Sequence, residues 1–365
     1  MALYLLDRLR ALAIEESVPR IVRDRLQLCL ERNRERTVVL LQEASWVAQR
    51  FEGASIAFAL LKGITLTPDS VPDPSLRWQT DLDFLVDESD RDAAVRILHD
   101  RGYTLYATSG RTMEFRSGPS SSPDIANFYR ADLQKSLELH CLKRRAGFQD
   151  RLTRAQVRVI DGVRVVALSS ADILVQQALH LLKHLCGEHT RVSWVLEFWR
   201  HLRVRQHDEE FWHEVRSIAG SETLGDLALS ISVWLASDLF GAIPESVAAY
   251  WPADRIPDGV LFWLRRYAHE LLLSDSFASK LYLLLRRQLP NKPALRDTAR
   301  LMIPLCLPAR IMQPAPDETL ADKMMRYRAE ASYSWRRLRF HIFEGMRYGI
   351  EALCWEWRMP KVQQR

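Results

Sequence analysis

Residues 80–86 read Thr-Asp-Leu-Asp-Phe-Leu-Val, an apolar run in which two carboxylates, Asp81 and Asp83, stand one residue apart. In a strand, the period of two puts both acids on one face and Leu82 and Phe84 on the other. Adjacent carboxylates repel, and holding them side by side is costly unless a cation or a proton lies between them. The pattern therefore points to a hard divalent metal, most naturally magnesium.

A chain of 365 residues is long enough for a full hydrophobic core and two or more structural units. Its 47% hydrophobic and 27% charged residues are those of an ordinary globular protein. No apolar stretch is long and uncharged enough to span a bilayer, and the opening MALYLLDRLRALAIEES carries charge too early for a secretory signal, so the expected location is cytoplasmic. Five scattered cysteines without a CxxC pair imply neither a disulfide framework nor a zinc cluster. The net charge of +5 is concentrated at one end. Residues 321–365 hold ten Lys/Arg against five acids, and the remainder of the chain is balanced at 41 each. That segment also carries aromatics, and an anionic acceptor, a membrane surface or a partner helix would each suit it, as would a capping layer with a solvated basic face.

Residues 1–52 show helical periodicity and predict two or three helices packing on a core. The apolar run 56–61 reads as a buried strand closed by the turn Lys62-Gly63, and the helix expected from Asp92 to Arg101 can be capped by Ser89 or Asp90. Further strands are expected at 82–86, 103–107, 112–116, 125–129 and 136–141. Val157–Ile160 and Val163–Val166 flank Asp161-Gly162, a type I′ hairpin signal. From Ser169 onward long helical patterns dominate. The expected fold is α+β: a small mixed sheet of about five strands in a core over 53–168, N-terminal helices over 1–52, and a helical C-terminal domain over 169–365, with the active site between core and helices.

Upstream of the acid pair stands Leu61-Lys62-Gly63; downstream, Glu138 and His140 share one face of another strand-like run. Three carboxylates converging from neighbouring strands can hold two magnesium ions about 4 Å apart and clamp an in-line phosphoryl displacement. The ordered set Leu61-Lys62-Gly63, Arg77, Asp81-Leu82-Asp83, Gly102-Tyr103, Glu138-Leu139-His140 and His180-Leu181-Leu182-Lys183-His184 resembles the bacterial "uncharacterised nucleotidyltransferase" family, within the superfamily that includes DNA polymerase beta. The resemblance covers roughly residues 40–205.

The resemblance implies Asp81, Asp83 and Glu138 as metal-binding and catalytic acids, with Mg2+ as cofactor. It implies Gly63 beside the triphosphate and Lys62 and Arg77 neutralising phosphate charge. His180, Lys183 or His184 would face the nucleotide. An NTP would then be the donor of an NMP to a hydroxyl acceptor on a small molecule, peptide or RNA, with pyrophosphate leaving. One departure stands out: many superfamily members have Gly-Ser at the turn, and here Ile64 follows Gly63. On the residues alone, His180 and His184 read as a helix face packed on the sheet rather than as zinc ligands, and Trp194, Trp199 and Trp212 as helix core. Two other readings stay open: a nucleotide-binding protein without turnover, and a helical interaction protein whose acids are incidental.

Overall fold

The computed structural model describes residues 1–118, 129, 134–143, 150–273, 279–289 and 319–362. Among them, seven strands form one mixed sheet: β1 (Phe58–Leu60), β2 (Asp81–Asp87), β3 (Thr104–Ser109), β4 (Thr112–Ser117), β5 (Lys135–Leu142), β6 (Gln156–Ile160) and β7 (Val163–Ala167). Their order is β3-β4-β5-β2-β1-β7-β6, with β2/β5 and β1/β7 parallel and the other pairs antiparallel. The sheet is thus larger than the five strands expected, while the strand expected at 125–129 falls almost wholly outside the described residues. At the hairpin between β6 and β7, Asp161 and Gly162 both take positive φ (49° and 76°), the backbone that a type I′ turn requires.

β2 is the central strand, and its two faces have different fates. Leu82, Phe84 and Val86 join Leu137 and Leu139 of β5 and Phe115 of β4. This face packs on α2 (Arg20–Gly53), through residues such as Leu40, Val47 and Phe51, and on α3 (Arg91–Asp100), through Ala94 and Leu98. Each Leu, Val or Phe side chain so removed from water contributes about 1.5–3 kcal/mol. Asp90 precedes α3 without capping it; Asp87 instead accepts from the Ser89 N–H at 2.9 Å and caps the short turn before the helix. On the opposite face, Leu85 packs with Leu66, Leu168 and Ile173, and with Leu3 and Leu6 of α1 (Ala2–Ala11), leaving Asp81 and Asp83 on the part not closed by apolar contacts.

Polar residues of α2 hold the segment that leads into β2. Asn33 Nδ2 donates to the carbonyls of Ser75 (2.5 Å) and Arg77 (3.2 Å), and Arg36 Nε donates to that of Gln79 (2.8 Å). Buried Glu43 accepts from Arg101 and, at 2.6 Å, from Lys135 at the start of β5. α2 therefore holds the approach to β2 and the start of β5, with charge-assisted bonds at Arg36 and Glu43.

Ser169 caps α4 (Ser170–Leu185), its hydroxyl accepting from the Asp172 N–H at 3.1 Å. Beyond it, α5 (Val192–Val204), α6 (Glu209–Ser221), α7 (Gly225–Phe240), α8 (Glu245–Tyr250), α9 (Asp258–Trp263), α10 (His269–Leu273) and α11 (Tyr282–Arg286) share a second core around Phe198, Trp212, Trp251 and Trp263. The last helix, α12, runs Leu320–Val362. No helix of the described residues is long and apolar enough to cross a membrane.

Candidate active site

β2 and β5 run parallel in a register that sets Asp83 opposite Glu138 and Leu85 opposite His140. Because side chains alternate, Asp81, Asp83, Glu138 and His140 all rise from one face. Ligand atoms of Asp83, Glu138 and His140 lie within 4.8 Å of one another. His140 Nε2 donates to Asp83 Oδ1 at 3.0 Å and lies 3.2 Å from Glu138 Oε2, while its Nδ1 meets Thr112 Oγ1 at 3.0 Å. Lys62 Nζ adds a second cation, 3.2 Å from Asp83 Oδ1.

Electrostatics separates the two aspartates. Burial would raise both. For Asp83 the hydrogen bond from His140 and the Lys62 ammonium prevail and hold its carboxyl well below the usual range. Asp81 is pushed up, first by burial and then by repulsion from Asp83 and Glu138, against the weaker pull of Lys62 and Arg77. His140, opposed by burial, is raised by its bonds to Asp83 and Glu138 and so favours the imidazolium. Lys62 and His140 thus stand where a cation is called for, and Asp81 is left with repulsion that Lys62 and Arg77 only partly offset.

The turn before the site needs glycine. Gly63 has φ +68°, and a Cβ added there would collide with Oε1 of buried Gln79. Gly63→Ala is expected to lower stability by about 1–2 kcal/mol, read as a reduced thermal midpoint, because strain and overlap act together. Ile64, in the position where a serine is usual, is buried in the sheet core. Thr65 follows, and its hydroxyl bonds the carbonyls of Leu61 and Lys62 rather than facing the site. The departure at Ile64 has a packing reason: the short 3₁₀ turn Gly63–Leu66 points this side chain inward.

Beside the acids opens a cavity of about 270 Å³ whose walls include Lys62, Arg77, His140, Gln176, His180 and Lys183. Gln176, His180 and Lys183 recur at helical spacing and so share one face of α4. Nε2 of Gln176 and of Gln177 have no hydrogen-bond partner among the described residues. Burial, with His184 and Lys62 nearby, pushes His180 down to about 3, so at neutral pH it offers a neutral ring rather than a charge. His184 does not line this cavity: its Nδ1 donates to the His189 carbonyl at 3.1 Å, and its ring packs against those of His180 and Trp194, each at 4.4 Å.

Arg77 borders this cavity and an adjoining one of about 470 Å³. Its Nε donates to Glu197 of α5 at 3.2 Å, and Tyr4 donates to the same carboxylate oxygen at 2.8 Å. Much of its charge is therefore matched internally. Glu197 lies 120 residues from its partner, and no local signal in the sequence marks it. His140, not among the site residues expected from the sequence, did carry a signal in its place two residues after Glu138. Trp194, expected as helix core, packs half-buried against that core and also lines both cavities, whereas Trp212 is fully enclosed.

The sequence matches the family described as uncharacterised nucleotidyltransferase over residues 1–241, two thirds of the chain. The chain belongs to this family. No curated protein matches it. Solved structures similar to this family member include an antigenic nucleotidyltransferase-like protein from Paracoccidioides brasiliensis, at 14% identity over 56% of this chain and 97% of that one, with a TM-score of 0.34. A lincosamide antibiotic adenylyltransferase, LnuA, with lincomycin bound is 13% identical over 43% of this chain and 92% of its own, TM-score 0.31. The antibiotic-resistance factor ANT(2'')-Ia is 10% identical over 51% and 92%, TM-score 0.35.

Proposed function

We propose that this chain transfers a nucleoside monophosphate from an NTP to a hydroxyl acceptor, with magnesium bound at Asp81, Asp83 and Glu138. The observation that carries the reading is the convergence of Asp83, Glu138 and His140 from two parallel strands, with Asp81 on the same face. The donor set fits a hard divalent cation: carboxylate oxygens of Asp83 and Glu138 lie within 4.8 Å of each other, and Asp81 adds a further carboxylate under repulsion. When bound, magnesium neutralises charge on the reacting phosphates and lowers the pKa of the acceptor hydroxyl.

The chain's own groups do the rest. Asp83, kept ionised, anchors the site, and His140 orients that carboxylate while Thr112 fixes the ring. Glu138 takes the proton as the acceptor oxygen bonds to the α-phosphorus and the bond to the departing pyrophosphate breaks. Lys62, close to Asp83, swings to the triphosphate, and Gly63 leaves room for phosphate beside the backbone. The Nε2 groups of Gln176 and Gln177, without partners among the described residues, and the neutral His180 ring supply polar contacts for a substrate in the cavity without adding charge. In this reading the sheet unit over 53–168 would supply the acids, and the cavity wall is shared between that unit, through Lys62, Arg77 and His140, and the helices from 169 onward, through Gln176, His180 and Lys183.

Incubation with each α-labelled NTP, magnesium and a cell extract tests this. Label is expected in an acceptor with the native protein and not with Asp81→Ala/Asp83→Ala. Equal labelling by both proteins contradicts it.

A further inference from the structure

The last helix lies outside the matched family span and carries one face that the fold does not use. Its inner side is anchored: Trp355 packs edge-on against Phe262 at 4.9 Å, Tyr348 is buried, and Glu344 accepts from the Ser279 hydroxyl at 2.8 Å. On the opposite side Trp335, Leu338, Ile342, Met346, Ile350 and Leu353 recur three or four residues apart, each 50–73% exposed. That spacing makes one continuous apolar stripe about 27 Å long.

Charge on this helix is sorted in the same direction. The acids whose side chains are described all turn inward. Glu330 pairs with buried Arg326, Glu344 with Ser279 and Arg347, and Glu351 accepts from Tyr267 at 2.6 Å. Lys323, Arg328, Arg336 and Arg339 are exposed and make no ion pair among the described residues. The outer surface is therefore apolar and cationic, with no described carboxylate on it.

We infer that α12 lies in the surface of an anionic lipid bilayer, its apolar stripe at the level of the upper acyl chains and its arginines on lipid phosphates. A large hydrophobic face combined with arginines and an exposed tryptophan is the composition of an interfacial helix. Arginine stems can lie along an apolar surface while their heads reach anionic groups. A second copy of this chain suits the face less well, because it would bring the same cations together with no described acid to offset them. A partner helix packing into the stripe would have to bury Arg339, which stands between Trp335 and Ile342. No described helix is long and apolar enough to cross a membrane, and the proposed contact is along the bilayer surface.

Flotation of the full chain with vesicles tests the inference. Binding is expected to vesicles of phosphatidylglycerol and phosphatidylcholine, and to fall steeply for pure phosphatidylcholine or in high salt. Arg336→Glu/Arg339→Glu is expected to weaken binding more than tenfold, since each cation near an anionic surface is worth about fivefold. Ile350→Glu/Leu353→Glu, at exposed positions that leave the circular dichroism unchanged, is expected to abolish it. Failure of the native chain to float, or flotation unaffected by either double variant, overturns the inference. So does a native dimer in sedimentation equilibrium that the Ile350→Glu/Leu353→Glu change dissociates, if no flotation is seen.

Discussion

Asp83→Asn is expected to lower nucleotidyl transfer by about a thousandfold, since removing a metal-holding carboxylate forfeits several kcal/mol of transition-state stabilisation, with each 1.36 kcal/mol a factor of ten in rate. Asp81→Asn is expected to cost a similar factor, yet the two variants should move thermal stability in opposite directions. Asp83 has a folded pKa below its unfolded value, so its carboxylate stabilises the fold above the unfolded pKa near 3.8, and that contribution is lost as pH falls through the folded value. At pH 7 it is fully present, and Asp83→Asn removes it. For Asp81 the sign reverses. Its folded pKa is raised, so the folded state holds a proton more tightly, and a cost appears as pH climbs from 3.8 through the raised value. At pH 7, above the unfolded value, the metal-free protein therefore carries that cost, and Asp81→Asn relieves it. Melting curves at pH 7 without metal should therefore show Asp83→Asn below and Asp81→Asn above the native chain, by a few degrees each. Inactive variants that both melt lower would contradict the assignment of repulsion to Asp81.

Arg77→Ala is expected to destabilise the fold by about 3–5 kcal/mol, because it leaves Glu197, 3% exposed, without the guanidinium and with the Tyr4 hydroxyl as its remaining hydrogen bond among the described residues. The bond ties the segment leading into β2 to α5, and α1 joins it through Tyr4, so three parts of the chain meet at one carboxylate. Chemical denaturation should recover part of the loss in Arg77→Ala/Glu197→Gln, since the double variant no longer buries an unpaired charge. Transfer activity of that double variant separates two roles for Arg77. Restored stability with activity still depressed means that the guanidinium also serves the substrate. Full recovery of both assigns it to the scaffold.

The one-face placement of Asp81 and Asp83 follows from a two-residue period and needs no tertiary knowledge, and the Asp161-Gly162 hairpin follows from local backbone preference. Ser169 announced a change to helix through its capping chemistry. What the sequence could not convey is nonlocal. The parallel pairing that sets Asp83 against Glu138 joins strands some fifty residues apart, and nothing in either strand names its neighbour. Likewise the Arg77–Glu197 bond and the place of Trp194 between two cavities depend on how α5 packs, which is a property of the assembled core. The sheet exceeded the expected size for a similar reason: the hairpin β6/β7 joins it through a single short parallel pairing, Leu60 with Ala167. His140 is a different case. Its partner Glu138 was singled out while the histidine on the same face was left without a role, though alternation made both visible.

The most direct measurement compares the same NTP labelled at the α- or the γ-phosphorus, with magnesium and an acceptor-containing extract. Transfer of a nucleoside monophosphate predicts label in the acceptor from the α-position alone, with label from the γ-position leaving in pyrophosphate. Acceptor labelled from the γ-position, or from neither, would contradict the account.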